Sequence, residues 1–173
     1  MLLAALFAAL TAAGGAIRIP APLGYITFHT LFVYLAGSLL GSKTGAVSQI
    51  LFLAIGLMGF PVFSNGGGPG YIVHYTFGYL AGFPIAAWVI GKLIEKNRTG
   101  QWSNILAANS VGCAIILLTG VVYLYINLRY IQKAPISWTE ALISGVLIFL
   151  PGELIKIGIT TSLTQRMASY LKA

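Results

Sequence analysis

Phe149-Leu-Pro-Gly-Glu-Leu-Ile-Lys156 carries an acid and an amine three residues apart inside a long apolar stretch. Three residues along a helix put both side chains on one face. Whether that face lies in lipid is settled by the rest of the chain. Of its 173 residues, 58% are hydrophobic and 8% are charged, and the mean hydropathy is +0.89. A soluble domain has about 25% charged residues. Lipid is therefore the main solvent. A charge there is costly unless it is paired or faces a polar cavity. Two architectures satisfy every backbone group in lipid, the helix bundle and the closed barrel. Long apolar runs without alternation select helices.

Working outward from that pair, Pro151 suits the first turn of a helix. The spacing predicts a short or broken apolar element, Thr139 to Leu150, followed by a span from Pro151 to Tyr170 with Glu153 in its first turn. A continuous kinked helix from Trp138 to Tyr170 is the alternative. Upstream, spans are predicted over residues 1–17, Phe28 to Leu40, Thr44 to Gly59, Phe77 to Leu93 and Trp102 to Leu128. Gly41-Ser-Lys43 reads as a turn, Arg18 to Thr27 as a proline-bearing loop, Lys92 to Arg98 as a solvated basic connector, and Arg129 to Trp138 as a further loop. The first span lacks the basic start of a cleaved signal peptide. Trp102, Tyr123, Tyr125 and Tyr130 suit membrane interfaces.

Six spans put both termini on one side. With the termini inside, Lys43, Lys92, Lys96, Arg98, Arg166 and Lys172 lie inside, against Arg18, Arg129 and Lys133 outside. Six against three satisfies the positive-inside rule. The expected fold class is an all-α membrane protein of six transmembrane helices, with cytoplasmic termini and one integral domain over residues 1–173. The net charge of +7 is scattered between apolar runs, so it marks topology and not a nucleic-acid surface.

Phe60 to Thr76 breaks the helical pattern, because Gly66-Gly67-Gly68 stands between Pro61 and Pro69. Bare backbone and crowded aromatics suit a ligand loop, and a plain flexible loop is the other reading. In the six-span topology this loop and the start of the last helix share the outer face. Asn65, His74, Glu153 and Lys156 then fall in one neighbourhood. Glu153 accepts N–H groups and Lys156 donates to carbonyl oxygen, so together they complement a ureido or amide group. Tyr71, Tyr75, Tyr79, Phe63 and Trp138 could cover an apolar body. A structural ion pair that neutralises itself is the competing reading. Ala4/Ala8/Ala12 and Ala5/Ala9/Ala13 form small-residue stripes, for packing within the bundle or against a partner.

Catalysis reads poorly. No catalytic residue, metal site or cofactor is expected. The chain has no aspartate, which excludes a paired-aspartate intramembrane peptidase, and Ser64, His29 and His74 form no recognisable nucleophile–base set. The lone Cys113 cannot form an internal disulfide. With no phosphate-binding glycine loop of the P-loop kind, energy-driven transport would need ATPase subunits from elsewhere.

Several motifs resemble the BioY family, the biotin-binding S components of energy-coupling-factor transporters. They are Leu31 to Gly41; Gly56-Leu-Met-Gly-Phe-Pro61-Val-Phe; Gly78-Tyr79-Leu-Ala-Gly-Phe83; and Leu150-Pro-Gly-Glu-Leu-Ile-Lys156, similar to the family's Leu-Pro-Gly-Asp-Leu-Ile-Lys. The resemblance implies a six-helix S-component bundle in the bacterial plasma membrane that captures biotin from outside. By that resemblance Glu153 and Lys156 hold the ureido ring, the loop asparagine Asn65 assists, and Tyr79 occupies an aromatic family position. Biotin is then cargo and no cofactor is used. The implied partners are a transmembrane coupling subunit and paired ATPases, met through the alanine-rich first helix at Ala4, Ala8 and Ala12. A site for another small vitamin, such as lipoate, thiamine or pantothenate, is the alternative. Glu153 stands where the family has Asp, His29 where Gln is frequent, and His74-Tyr-Thr-Phe-Gly-Tyr79 where Gly-Pro-Thr-Gly-Gly-Tyr is usual.

Overall fold

The computed structural model describes residues 1–21, 24–97 and 101–170. Pro22, Arg98 and Lys172, which entered the loop and charge arguments, lie outside the described residues. In chain order the elements are α1 (Leu2–Gly14), the strands β1 (Arg18–Ala21) and β2 (Gly24–Thr27), α2 (His29–Leu57), α3 (Phe77–Lys96), α4 (Trp102–Ile126), α5 (Trp138–Leu142) and α6 (Leu150–Tyr170). A 3-10 turn, Pro69–Val73, precedes α3. Four helical stretches are long and apolar enough to cross a membrane: His29–Leu57, Phe77–Lys96, Trp102–Ile131 and Trp138–Met167. Leu2–Gly14 is a shorter apolar helix. The protein is thus a multi-pass, helical membrane protein.

The predicted turn at Gly41 is real. Its backbone has φ 77° and ψ 179°, outside the helical region and open in practice to glycine alone. A straight helix would hold His29 and Phe52 about 35 Å apart; their ring centroids are 5.3 Å apart. The arms 29–40 and 42–57 therefore fold back on each other. Gly45 lies against the backbone of Ala36 and Gly37. Across the turn, the carboxylate of Glu95 accepts from the Ser42 backbone N–H at 2.7 Å and from its hydroxyl at 2.9 Å. Glu95 thus caps the second arm from a neighbouring helix. The connector predicted from Lys92 onward is helical as far as Lys96, and its exposed acid has a structural use. Gly41→Ala should cost about 1–3 kcal/mol of stability, since the added Cβ would also lie 2.7 Å from Glu95 Oε1. A thermal melt in detergent reads this directly.

Two further expectations need correction. Arg18 to Thr27 was expected as loop; its ends pair as antiparallel strands, Arg18 opposite Thr27 and Ile19 opposite Ile26. Each strand of a two-stranded ribbon is an edge strand, where a proline such as Pro20 is tolerated. The Ala4/Ala8/Ala12 stripe does not face outward. Ala4 and Ala8 are 1% and 2% exposed, because this side of α1 packs on α2. The exposed small residues are Ala5, Ala9 and Ala13.

The last span combines both sequence readings. α5 runs into a π turn, Ile143–Leu147, and the chain then re-enters α-helix at Leu150. Ile148 N–H bonds Ile143 O at 3.2 Å, a five-residue step, and Phe149 N–H bonds Val146 O at 3.1 Å. The irregular turn absorbs the missing N–H of Pro151. Glu153 sits in the first turn of α6, as expected.

Candidate functional site

A cavity of about 660 Å³, its open mouth included, lies between the β1–β2 hairpin, the glycine-rich loop, α2, α3, α4 and the start of α6. Glu153 stands on its wall at 5% exposure, and Lys156 is buried at 4%. Their Nζ–Oε1 distance is 2.5 Å. Two buried opposite charges are tolerable only when their remaining hydrogen-bond capacity is used. Here it is. Lys156 Nζ also donates to Thr30 Oγ1 at 2.6 Å and to the Thr27 carbonyl at 2.9 Å. Glu153 Oε1 accepts from Thr30 Oγ1 at 3.0 Å, and Oε2 accepts from Tyr34 OH at 2.6 Å. All three ammonium protons have acceptors.

The structure brings Glu153, Asn65 and Tyr79 to one cavity, with Lys156 directly behind Glu153. Asn65 is exposed at the loop. Tyr79 presents its ring to the cavity, while its hydroxyl donates to Gly145 O at 2.7 Å in the π turn. Its ring sits flush on Gly120, where a Cβ would lie 2.1 Å from Cδ1. Tyr71 also lines the cavity. Trp138 is instead stacked on Tyr125 at 3.8 Å.

The glycine-rich loop is pinned by rings and is no floppy connector. Phe63 is fully buried, 5.4 Å from Phe52 and 4.7 Å from Tyr71 between centroids. Gly56 leaves its seat: a Cβ there would lie 2.0 Å from Phe63 Cζ. His29 adds a tie between segments. Its Nδ1 pairs with Thr27 Oγ1 at 3.0 Å and its Nε2 with Val62 O at 3.2 Å. A carbonyl can only accept, so Nε2 carries the proton and Nδ1 accepts from Thr27.

His74 stacks between Tyr71 and Tyr75, at 4.9 and 4.4 Å. Its Nδ1 accepts the Thr76 backbone N–H at 3.3 Å and meets Thr76 Oγ1 at 2.8 Å. Burial pushes its pKa below the usual histidine value, and burial raises that of Tyr71 despite its bond to Thr76. A lowered histidine pKa means that the fold favours the neutral ring. That stability is complete above the unfolded pKa of about 6.5 and is lost as pH falls through it toward the folded value. Wild-type melting temperature should therefore drop more than that of His74→Gln between about pH 7.5 and 5.5, one unit either side of that pKa. Parallel melts of the two proteins check it.

Sequence reasoning missed Thr30, Tyr34 and Thr27. The first two had a signal: Thr30, Tyr34 and Ser38 recur every four residues on an otherwise apolar helix. Ser38 continues the line, donating to Asn109 Oδ1 at 3.0 Å. The inner face of α6 is polar to match, with Thr160, Thr161 and Thr164 buried below Lys156. The Thr27 contribution is a backbone carbonyl, for which residue type carries no signal.

Comparison with known proteins returns one consistent answer. The sequence profile described as "BioY family" matches residues 1–173. A probable biotin transporter BioY of Lysinibacillus sphaericus is 43% identical over 145 residues, 84% of this chain and 74% of the relative. The biotin transporter BioY of Thermotoga maritima is 39% identical over 132 residues, 76% of this chain and 77% of its own. That of Rhodobacter capsulatus is 36% identical over 176 residues, 95% and 90% of the two chains. Among solved structures, the S-component for biotin from an ECF-type ABC transporter superposes with a TM-score of 0.85 at 26% identity, covering 97% of this chain and 89% of that one.

Proposed function

Because the chain belongs to the BioY family, we propose that it is the biotin-binding S component of an energy-coupling-factor transporter. It captures biotin on the extracytoplasmic side of the bacterial plasma membrane. The observation that carries this reading is the buried, fully hydrogen-bonded Glu153–Lys156 pair, with Glu153 on the wall of an open cavity and Lys156 bonded behind it. In the free protein the pair is satisfied by its own partners. A ureido group can exchange with it bond for bond: its N–H groups donate to Glu153, and its carbonyl accepts from Lys156 once Thr30 or Thr27 yields. No buried charge is then left unpaired, which is what makes the exchange affordable. Tyr79, Phe83 and Phe149 supply an apolar wall for the thiophane ring and the valeryl chain. Asn65 closes the loop side.

The chain acts as one membrane domain over residues 1–173 in a six-helix S-component bundle, each arm of α2 making one pass, with both termini cytoplasmic. It makes and breaks no bond in the cargo and uses no cofactor. Energy comes from paired ATPases through a transmembrane coupling subunit. α1 meets that subunit on its exposed side, at Ala5, Ala9 and Ala13.

Equilibrium binding of radiolabelled biotin to the purified protein tests the reading. Thermal shift against biotin, lipoate, thiamine and pantothenate tests the selectivity, since a ligand that prefers the native state raises the melting point. A shift with one of the other vitamins and none with biotin would replace the cargo.

A further inference from the structure

Tyr25 and Thr27 both line the cavity, and they stand two residues apart on β2. Alternate residues of a strand share one face, so this is the face that the hairpin turns to the cavity. Cross-strand partners share a face as well. Arg18 is the partner of Thr27, and Pro20 that of Tyr25. The register therefore sets the Arg18 side chain on the cavity side of the ribbon, at the end where it joins α1 and α2. Arg18 is exposed there, and its charge bears on His29, another lining residue.

The guanidinium is held in place and still has donors to give. Its Nε donates to Gly15 O at 3.1 Å, and among the described residues its two Nη groups have no acceptor. Those two groups form the planar fork that a carboxylate fits. No acid of the cavity competes for it. Glu153 is the charged residue among those described on the wall, and Lys156 matches it at 2.5 Å. That pair is neutral, so Arg18 leaves the hairpin side positive. The other bases placed outside, Arg129 and Lys133, belong to the segment between α4 and α5. Arg129 Nη1 donates to Ile136 O at 3.4 Å, Lys133 is exposed, and no described residue from 127 to 138 lines the cavity. We propose that Arg18 is a specificity-determining residue, receiving the carboxylate of the cargo at the cavity rim while Glu153 and Lys156 hold the polar head. The site then selects free acids over their amides and esters.

This rests on the biotin reading above, and the test separates the two. Affinities for biotin and biotinamide, which differ only at the carboxylate, are measured on the purified full-length chain, on Arg18→Gln and on Lys133→Gln. The wild type should bind biotin about ten-fold more tightly than the amide, the scale of a charge-assisted fork at a partly solvated rim. Arg18→Gln should remove that margin, weakening biotin about ten-fold and the amide less than about two-fold. Lys133→Gln should keep it. Raising the ionic strength should narrow the margin in the wild type, because charges at a rim are screened. The salt arm decides the question even where Arg18→Gln fails to fold. Equal losses of acid and amide in Arg18→Gln would make Arg18 a structural tie to Gly15 and overturn the inference. So would a margin that survives Arg18→Gln, one that Lys133→Gln removes, one indifferent to salt, or none in the wild type. In all of these cases biotin binding itself stands. Failure of biotin to bind the wild type overturns both.

Discussion

Lys156→Met is expected to destabilise the protein by about 3–5 kcal/mol, as breaking a buried pair does, and to abolish measurable biotin binding. The carboxylate of Glu153 would be left at 5% exposure with Thr30 and Tyr34 as its remaining partners. Stability loss alone would not distinguish a binding pair from a structural one. The double variant Glu153→Leu/Lys156→Met does. Replacing both charges by apolar groups of similar volume is often neutral or stabilising. The double variant should therefore recover most of its melting temperature while biotin binding stays absent. Wild-type-like biotin affinity in Lys156→Met, or in the double variant, removes Lys156 from the site. Melts in detergent and titration calorimetry on the three proteins supply every number needed.

Phe63→Ala is the second large effect. Truncating a fully buried phenylalanine costs about 3–5 kcal/mol. Phe63 is buried completely, and it joins Phe52 of α2 to Tyr71 of the loop. Its backbone also holds the tight turn, exchanging bonds with Gly66 at 2.9 and 3.2 Å. The variant should melt lower, and protease should cut the glycine-rich segment far faster than in wild type. Biotin should no longer slow that cleavage. Protection equal to wild type would show that other contacts hold the loop.

Both predictions depend on contacts between segments far apart in the chain, and this marks the boundary of what the sequence determined. Composition settled the solvent, because 8% charged residues cannot cover a soluble surface. Glycine at 41 and the proline-flanked triplet at 66–68 set where helices break, since those backbones are open to few other residues. The three-residue spacing of Glu153 and Lys156 placed two charges on one face before any fold was known. These are local facts, written in single residues and short periods.

Tertiary structure decided what those local features meet. Thr30 and Tyr34 reach Glu153 across 123 and 119 residues, and the Thr27 carbonyl reaches Lys156 across 129. Nothing in the periodicity of one helix says which face of another will oppose it. For the same reason the alanines at 4, 8 and 12, equivalent to those at 5, 9 and 13 by spacing, were told apart only when α1 packed on α2. Arg18–Ala21 and Gly24–Thr27 became strands because each segment found the other, a pairing that propensity does not encode. The chain specifies its charges and its breaks residue by residue; which partners satisfy them is a property of the folded whole, because burial and hydrogen bonding are pairwise and long-range.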